Sequence, residues 1–572
     1  MRNRPVAFLL VLSTASGASA AITHVSTDAL GVGQNARASD TAVSDDGRWV
    51  AFRGWDDLAA GFTTQMFKHN VYVKDLQTGG IVTIDVAPGG GPTNGDARAV
   101  SISSNGRFVA FYTEANNLVT PAGRGIVLHD RDPDGNGTYD EGNGTSVLAS
   151  RRQNGEPSWP LQIAVDVSGD GRFVAFQTAD SLVVANDTNG VDDVFAYDRL
   201  TGLTTRVSVG NNGVESNGAS LSARFSATGR YVAFQSRATN LVSGQIWQYD
   251  IFRRDRDPDG NGQFDEGNGI IERASTAWNS SVGSNLDSIS PDISADGDTV
   301  VFASGATNLG GGFTFSDSRI FVRRMSIGGT TLVSVNNGFE SAITHTRHPR
   351  ISADGGFVVF DTSSSNLVAG DNNGMVDVFV RDLVAFRTTR ISNGLAGAEP
   401  DRNCEYPDVS GDGAVIGWHS QSTNLAVSDT LTDSDVFADA AWSPACPVAA
   451  WSNYGNGLGG TLGVPGLTGS GSSQLGGTFT LQIGNSRGAD TPALLIVGTT
   501  PTAIPSLSGT LLVQPTWVVS FVLPAAGVGL PAAIPNDNSF CGGGFLVQVF
   551  ESDPGASSGV SISRGIAVTL GL

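Results

Sequence analysis

A chain of 572 residues, 40% hydrophobic and 16% charged, can bury a large core and is too apolar to stay disordered; its length fits two domains. Its formal charge of -21 at pH 7, with Lys68 and Lys74 as the only lysines, excludes a nucleic-acid partner, because a phosphate backbone needs a face lined with lysine and arginine. An acidic, lysine-poor surface favours solubility and divalent cations.

Residues 1–20, MRNRPVAFLLVLSTASGASA, carry basic Arg2 and Arg4, an apolar run from Val6 to Leu12 and small residues at Ala18-Ser19-Ala20, the pattern of a removable signal peptide. The run is too short to span a bilayer. The expected destination is therefore extracellular, cell-surface or periplasmic. After signal removal no transmembrane segment is expected, since the other long apolar stretch, Trp517 to Ile534, is broken by Pro524 and Pro531 and reads as paired strands. Cys404, Cys446 and Cys541 allow one disulfide and one free thiol, with the pairing open.

From residue 21 to 445 one phrase recurs seven times: SDDGRWVAF at Ser44, SSNGRFVAF at Ser103, SGDGRFVAF at Ser168, SATGRYVAF at Ser226, SADGDTVVF at Ser294, SADGGFVVF at Ser352 and SGDGAVIGW at Ser410. A second strand-like segment follows each, as in DVFAYDR (Asp193–Arg199), DVFVRDL (Asp377–Leu383) and DVFADAA (Asp435–Ala441), and then a third, as in TTRVS, TTLVS and TTRIS. These short β-branched runs, punctuated by Gly, Asn and Asp, predict antiparallel strands, with the Asp/Asn-Gly pair of each phrase as a turn. Adding the residues before each phrase as an inner strand gives four strands per unit. The fold class expected is all-β, a seven-bladed β-propeller. The last unit lacks its third segment, and ITHVS (Ile22–Ser26) stands at the same spacing before Ser44, so the N-terminal strand is expected to close the ring and remove its free edges.

The phrases resemble the TolB-like propeller repeat, with its Ser-Pro-Asp-Gly turn followed by LAF-type and IYVxD-type strands. The resemblance covers about residues 22–441. This chain departs from it in having Ala, Gly or Asp where that family usually has Pro, and in its longer units. It is unlike the sialidase Asp-box, because Gly follows Asp directly.

Two residues before each phrase come Ala42, Ser101, Asp166, Arg224, Asp292, Arg350 and Asp408, and the sign alternates over the last five. Equivalent positions are neighbours around a propeller channel, so Asp166, Arg224, Asp292, Arg350 and Asp408 are expected to form a mutually paired ring. A ligand-binding or catalytic channel is the alternative.

No catalytic residue is assigned. Gly555-Ala556-Ser557-Ser558-Gly559 matches a nucleophile elbow, but all six histidines precede it and no helix follows, so a Gly/Ser turn is expected. His345 and His348 form an H-x-x-H without a recognisable third ligand.

The units starting at Ser103 and Ser226 are longer because each contains an acidic insertion, RDPDGNGTYDEGNG at 131–144 and RDPDGNGQFDEGNG at 256–269. Counted from Asp130, the first meets D-x-D-x-D-G-x₅-E with Asp130, Asp132, Asp134, Gly135 and Glu141; the second does so with Asp255, Asp257, Asp259, Gly260 and Glu266. Calcium takes six to eight oxygens on a tight curve, which closely spaced carboxylates and a turn glycine supply. Strands flank both segments and Pro133 stands at position 4, so an EF-hand is rejected. The loops instead resemble the calcium hairpins of integrin-type propeller blades. On that resemblance Asn136 and Asn261 offer backbone carbonyls, and Asp140 and Asp265 are reserve ligands. Calcium in two hairpin loops is the cofactor expected. The related turns at Asp187–Asp193 and Asp371–Asp377 read as ordinary turns.

Beyond Cys446 charge nearly vanishes. Residues 446–475 read as a Gly/Ser-rich linker and lead-in, and 476–572 as a β-sandwich of six strand-like runs. This part resembles the Gly-rich C-terminal β-modules of exported bacterial repeat proteins, through Ile534-Pro535-Asn536-Asp537, Asp553-Pro554-Gly555-Ala556 and Gly565-Ile566-Ala567-Val568-Thr569. The functional expectation is a calcium-stabilised binding or scaffold protein for a protein or carbohydrate ligand. The alternatives are a propeller hydrolase or lyase working at the channel, and a purely structural cell-surface component.

Overall fold

The computed structural model describes residues 22–569 apart from 29–30, 33–36, 56–57, 60–67, 160–163, 245, 278–279, 311–316, 430–431, 441–449, 475–476, 499–500, 508, 514, 516 and 534–543. The signal-like segment 1–20, Cys446, Cys541 and the Ile534–Asp537 motif lie outside the described residues.

Among the described residues there is no α-helix, and seven four-stranded antiparallel sheets follow one another along the chain. Sheet 1 runs Ser39–Val43, Trp49–Gly54, Asn70–Asp75 and Ile81–Thr83 from its inner to its outer strand, and sheets 2 to 6 repeat the order. Sheet 7 consists of Cys404–Val409, Ile416–Ser420 and Asp435–Asp439, completed by the N-terminal Thr23–His24, which pairs with Ala438 and Phe437. The expected closing strand is thus in place.

Each phrase is the turn between the inner strand and the next. Ser44 Oγ donates to Asp46 Oδ1 (2.5 Å) and accepts the Trp49 N–H (3.0 Å), while Gly47 supplies the left-handed φ of +67° that the turn requires. The hydroxyl–carboxylate link recurs at Ser168–Asp170, Ser294–Asp296, Ser352–Asp354 and Ser410–Asp412. The residue after each serine joins its sheet to the next. Ser104 N donates to Gly169 O (3.0 Å), Ala227 N to Ala295 O (3.1 Å), Ala295 N to Ala353 O (2.9 Å) and Gly411 N to Asp45 O (2.9 Å); Asp46, Asp170 and Asp354 complete the circle with Ser104, Ala227 and Gly411. Small residues are needed here because the turns crowd together. A Cβ on Gly169 would lie 2.3 Å from Ser104 Oγ, and one on Gly411 2.8 Å from Asp45 Cβ.

The apolar core is divided among the seams between successive sheets. One cluster joins Trp49, Ala51 and Val73 of sheet 1 to Val109 and Phe111 of sheet 2, and another joins Val436 and Ala438 of sheet 7 to Val50 and Phe52 of sheet 1. Sheets packed face to face in a closed circle form a β-propeller.

The C-terminal part is a β-sandwich. A sheet of Ala450–Tyr454, Gly565–Thr569, Gly544–Ser552, Thr491–Gly498 and Trp517–Leu523, in that order, faces a second sheet of Leu467–Gly471, Thr478–Ile483 and Val528–Ala533. Phe479, Leu481 and Ile483 of one pack on Leu495, Val547, Val549 and Val568 of the other. Within the segment 446–475, read from sequence as a linker and lead-in, Ala450–Tyr454 and Leu467–Gly471 are strands of the two sheets. Glycine there serves close approach as well as turning: a Cβ on Gly469 would sit 2.5 Å from the Phe479 ring.

Candidate functional site in the central channel

The inner strands surround a channel with a cavity of about 130 Å³, lined by Asp45, Asp166, Arg224, Asp292, Arg350 and Asp408 among others. The backbone N–H of an inner strand has no further strand to pair with and must find another acceptor. Asp166 accepts the Phe225 N–H of the next sheet (2.7 Å), Asp292 that of Ile351 (2.9 Å) and Asp408 that of Val43 (2.7 Å); Ser101 does the same for Val167 (3.2 Å). The arginines balance these carboxylates unevenly. Arg224 Nη1 lies 3.5 Å from Asp166 and Arg350 Nε 3.7 Å from Asp408, while Asp292 is held by its N–H contact. The five charges thus form two ion pairs and a backbone-capped aspartate in place of one continuous ring. Burial pushes the Asp166 and Asp408 carboxyls up to about 6, with the neighbouring arginines opposing it.

At the end of the channel away from the phrase turns, the inner strands are bulged. Asp40, Ala99, Ser222, Ser290, His348 and Tyr406, each four residues before a phrase, all have φ between 47° and 56°. Bulges of this kind re-aim side chains. Four of their N–H groups are caught by neighbouring sheets: Asp40 accepts from Ala99 (3.0 Å), Gln177 from Ser222 (2.6 Å), Gln235 from Ser290 (2.9 Å) and Asp361 from Tyr406 (2.9 Å).

Side-chain chemistry concentrates where sheets 6, 7 and 1 meet. Asp361 Oδ2 lies 2.7 Å from His348 Nδ1, and the His348 ring stacks on Tyr406 with centroids 3.8 Å apart. Tyr406 also stacks on His419 at 5.0 Å and remains 50% exposed. Burial holds His419 down to about 4, so it is neutral at pH 7, and its buried Nδ1 has no partner among the described residues. Arg53 pairs with Asp40 at 2.8 Å beside this stack. A cavity of about 300 Å³ next to it is lined by Met375, Arg402, Asn403, Glu405, His419 and Ser434 among others. Among the described residues no serine, threonine or cysteine is hydrogen-bonded to His348 or His419. The H-x-x-H motif is split: His345 is 3.4 Å from Asp317, and His348 faces Asp361.

Sequence reading passed over Tyr406, Asp361 and His419. Their signal was the repeat register itself: Tyr406 stands four residues before a phrase serine, at the position bulged in six of the seven units, while Asp361 and His419 stand nine after one.

The acidic insertions do join the second outer pair of strands, in sheets 2 and 4, but their carboxylates are divided. Asp130 pairs with Arg107 (2.7 Å) and Asp255 with Arg230 (2.8 Å). Arg48–Asp75 and Arg172–Asp198 make the same pair in sheets 1 and 3, which have no insertion, so the ion pairs of Asp130 and Asp255 belong to the repeat framework. Asp140 and Asp265 are likewise bound to Arg131 and Arg256. Asp132 accepts the N–H groups of Asn136 and Gly137, as Asp257 does from Asn261 and Gly262. Asp134 and Glu141 meet at the Asn136 side-chain amide, and Asp259 and Glu266 at that of Asn261.

Three carboxylates do converge elsewhere: Asp187, Asp193 and Glu215. Arg206 occupies their centre, within 3.6 Å of Asp187 and 3.4 Å of Asp193, and Arg390 does the same for Asp371, Asp377 and Glu399 in sheet 6. These turns carry their own cation. Cys404 is a buried free thiol, pushed up to about 12 by burial.

No family model and no curated protein matches the chain. Among solved structures it is similar to a putative TolB from Agrobacterium tumefaciens, with 18% identity over 52% of this chain and 79% of that one and a TM-score of 0.30. It is similar also to TolB from Acinetobacter baumannii, with 15% identity, 59% and 62% coverage and a TM-score of 0.31. A third likeness, to a prolyl endopeptidase, has 11% identity, 81% and 55% coverage and a TM-score of 0.39.

Proposed function

We propose that the chain is an exported binding or scaffold protein that takes a protein or carbohydrate ligand at the bulged end of its channel. The observation that carries this is Tyr406: half exposed, stacked between two imidazoles and fixed by Asp361 in a left-handed conformation that costs a bulky residue about 1–2 kcal/mol. Rigid aromatic groups beside polar ones favour recognition, and strain gathers where function needs it. The lumen charges satisfy one another and the neighbouring backbone, which argues against a catalytic tunnel. The test is a glycan and peptide array followed by titration of the hit against Tyr406→Ala. Affinity is expected to fall at least about tenfold with an unchanged melting midpoint; equal binding by the variant overturns the site, and an array without any hit favours the purely structural component.

A second reading concerns the acidic loops. Asp134 Oδ2 and Glu141 Oε2 converge on Asn136 Nδ2 at 3.1 and 2.8 Å, and the second loop repeats this at 3.2 and 2.8 Å, so in both a donor stands where a cation would. We infer a weak calcium site in each, held by Asp132, Asp134, Asn136 and Glu141 and by Asp257, Asp259, Asn261 and Glu266, at an affinity on the order of 10⁻⁴–10⁻³ M. Millimolar calcium is expected to raise the melting midpoint over that in chelator, and Asp134→Ala with Asp259→Ala to abolish the difference. A midpoint indifferent to calcium in the parent protein rejects the site.

A further inference from the structure

Two turns on the outer side of sheets 5 and 6 break the rule of their repeats. The fourth residue beyond the third strand is Gly79 in sheet 1, Gly202 in sheet 3 and Gly328 in sheet 5, all with φ between 66° and 75°; in sheet 6 it is Phe386, with φ 54°. In the connections between sheets, Gly90, Gly155, Gly213 and Gly397 occupy an equivalent left-handed position, closing the turn by an N–H bond to the carbonyl three residues back. Between sheets 5 and 6 that position is Phe339, with φ 63° and the same bond to Asn336 O. A phenylalanine in this conformation is strained where glycine is not.

Inside the propeller the two strained residues meet each other and Arg381. A Cβ placed on Gly79, Gly90, Gly155, Gly213 or Gly397 meets nothing within 4 Å, so these positions open away from the packed sheets. The two phenylalanines instead meet each other, with ring centroids 6.2 Å apart, and Phe339 meets Tyr454 of the C-terminal sandwich at 5.1 Å. Leu458 and Leu511 of the sandwich join the same apolar cluster, and the Arg381 guanidinium lies 5.4 Å from the Phe339 ring. The Asn337 side chain accepts the Thr388 N–H (2.7 Å), fixing one turn against the other.

We propose that Phe339 and Phe386 are a dock for the C-terminal sandwich, so that this module is carried in a fixed place on the outer rim of sheets 5 and 6 and does not swing on its connection. The occupant is the chain's own Tyr454 face. Apolar aromatic surface at two outward turns is a liability unless covered, and the sequence accepts backbone strain to put it there.

The experiment is Phe339→Gly with Phe386→Gly in the full chain, which restores the residue that the sister turns use. The propeller's melting midpoint is expected to hold or rise, because the strain is removed. Hydrogen exchange of Ala450–Tyr454 is expected to quicken at least about tenfold, and the maximum dimension in small-angle scattering to grow as the module comes loose. Unchanged exchange and scattering overturn the proposal. So does a fall in the propeller's own midpoint, which assigns the phenylalanines to the propeller's packing.

Discussion

Replacing Arg131 and Arg256 by alanine is expected to destabilise the propeller by about 3–5 kcal/mol at each site, the range found when one partner of a buried ion pair is removed. Arg131 is fully buried. Its Nε and Nη2 donate to the two oxygens of Asp140 (3.0 and 2.5 Å), its Nη1 to Gly106 O (2.7 Å), and its guanidinium lies 4.2 Å from the Trp49 ring of sheet 1 and 5.0 Å from Tyr139. Arg256 repeats this with Asp265, Gly229 O, Phe173 of sheet 3 and Phe264. Each insertion is therefore a clamp: sheet 2 reaches over its seam with sheet 1, and sheet 4 over its seam with sheet 3. Alanine leaves a carboxylate without its cation and opens a space against an aromatic ring. With both sites changed the sum rivals the 5–15 kcal/mol that hold a typical domain together, so the double variant is expected to unfold below physiological temperature. Denaturant titration measures it. Arg131→Met with Asp140→Asn is the control, since removing both charges while keeping volume, and keeping a residue that tolerates the φ of 63° at position 140, restores most of the loss. The effect is independent of calcium, which separates the clamp from the proposed metal site.

The same insertions show how far the sequence could be read. Their place between outer strands was legible from repeat register, because the phrase spacing counts strands without any need of contacts. Their acidity suggested metal, and the local pattern hid the partition of the carboxylates. That Asp130 pairs with Arg107 is visible only when all sheets are compared at once, since Asp75 and Asp198 end the equivalent strands with the equivalent arginine. Tyr139 and Phe264, the position where the two copies differ while both remain aromatic, were the sign of packing, and Arg131 and Arg256 supplied the cation between the rings. The alternating inner-strand charges placed the lumen correctly, yet their pairing depends on side-chain reach, and two arginines cannot serve three aspartates equally. The bulge that exposes Tyr406 has no local signature, because its left-handed residues are Asp, Ala, Ser, His and Tyr in place of the expected glycine. The strands within 446–475 were masked by glycine content, which sequence rules assign to turns.

Deleting Ile22–Ser26 is expected to abolish cooperative folding. The segment ITHVS does for sheet 7 what TTRVS and TTRIS do for sheets 3 and 6. Ser26 Oγ donates to Asp435 (2.7 Å) and accepts the Val436 N–H (3.0 Å), just as Ser392 treats Asp377 and Val378. His24 stands where Arg206 and Arg390 stand, 3.1 Å from the same aspartate. Without the segment, Asp435 loses both its hydroxyl and its imidazole partner, and the edge of Asp435–Asp439 is open to any other chain. Thr27, which follows the deleted segment and accepts from Lys74 Nζ of sheet 1 with its O and Oγ1 (3.1 Å each), loses the strand that anchors it. Ser26→Ala alone removes one bridging hydroxyl and is expected to cost about 1–3 kcal/mol. The full deletion does more than add such losses, because a ring stabilises every seam through the next, and an open ring leaves two unsupported faces from which the seams part. Size-exclusion chromatography is expected to show aggregate for the deletion, and a peptide of residues 22–28 supplied during refolding to recover monomer. A deletion that stays monomeric and melts like the parent shows that the remaining strands close the ring unaided.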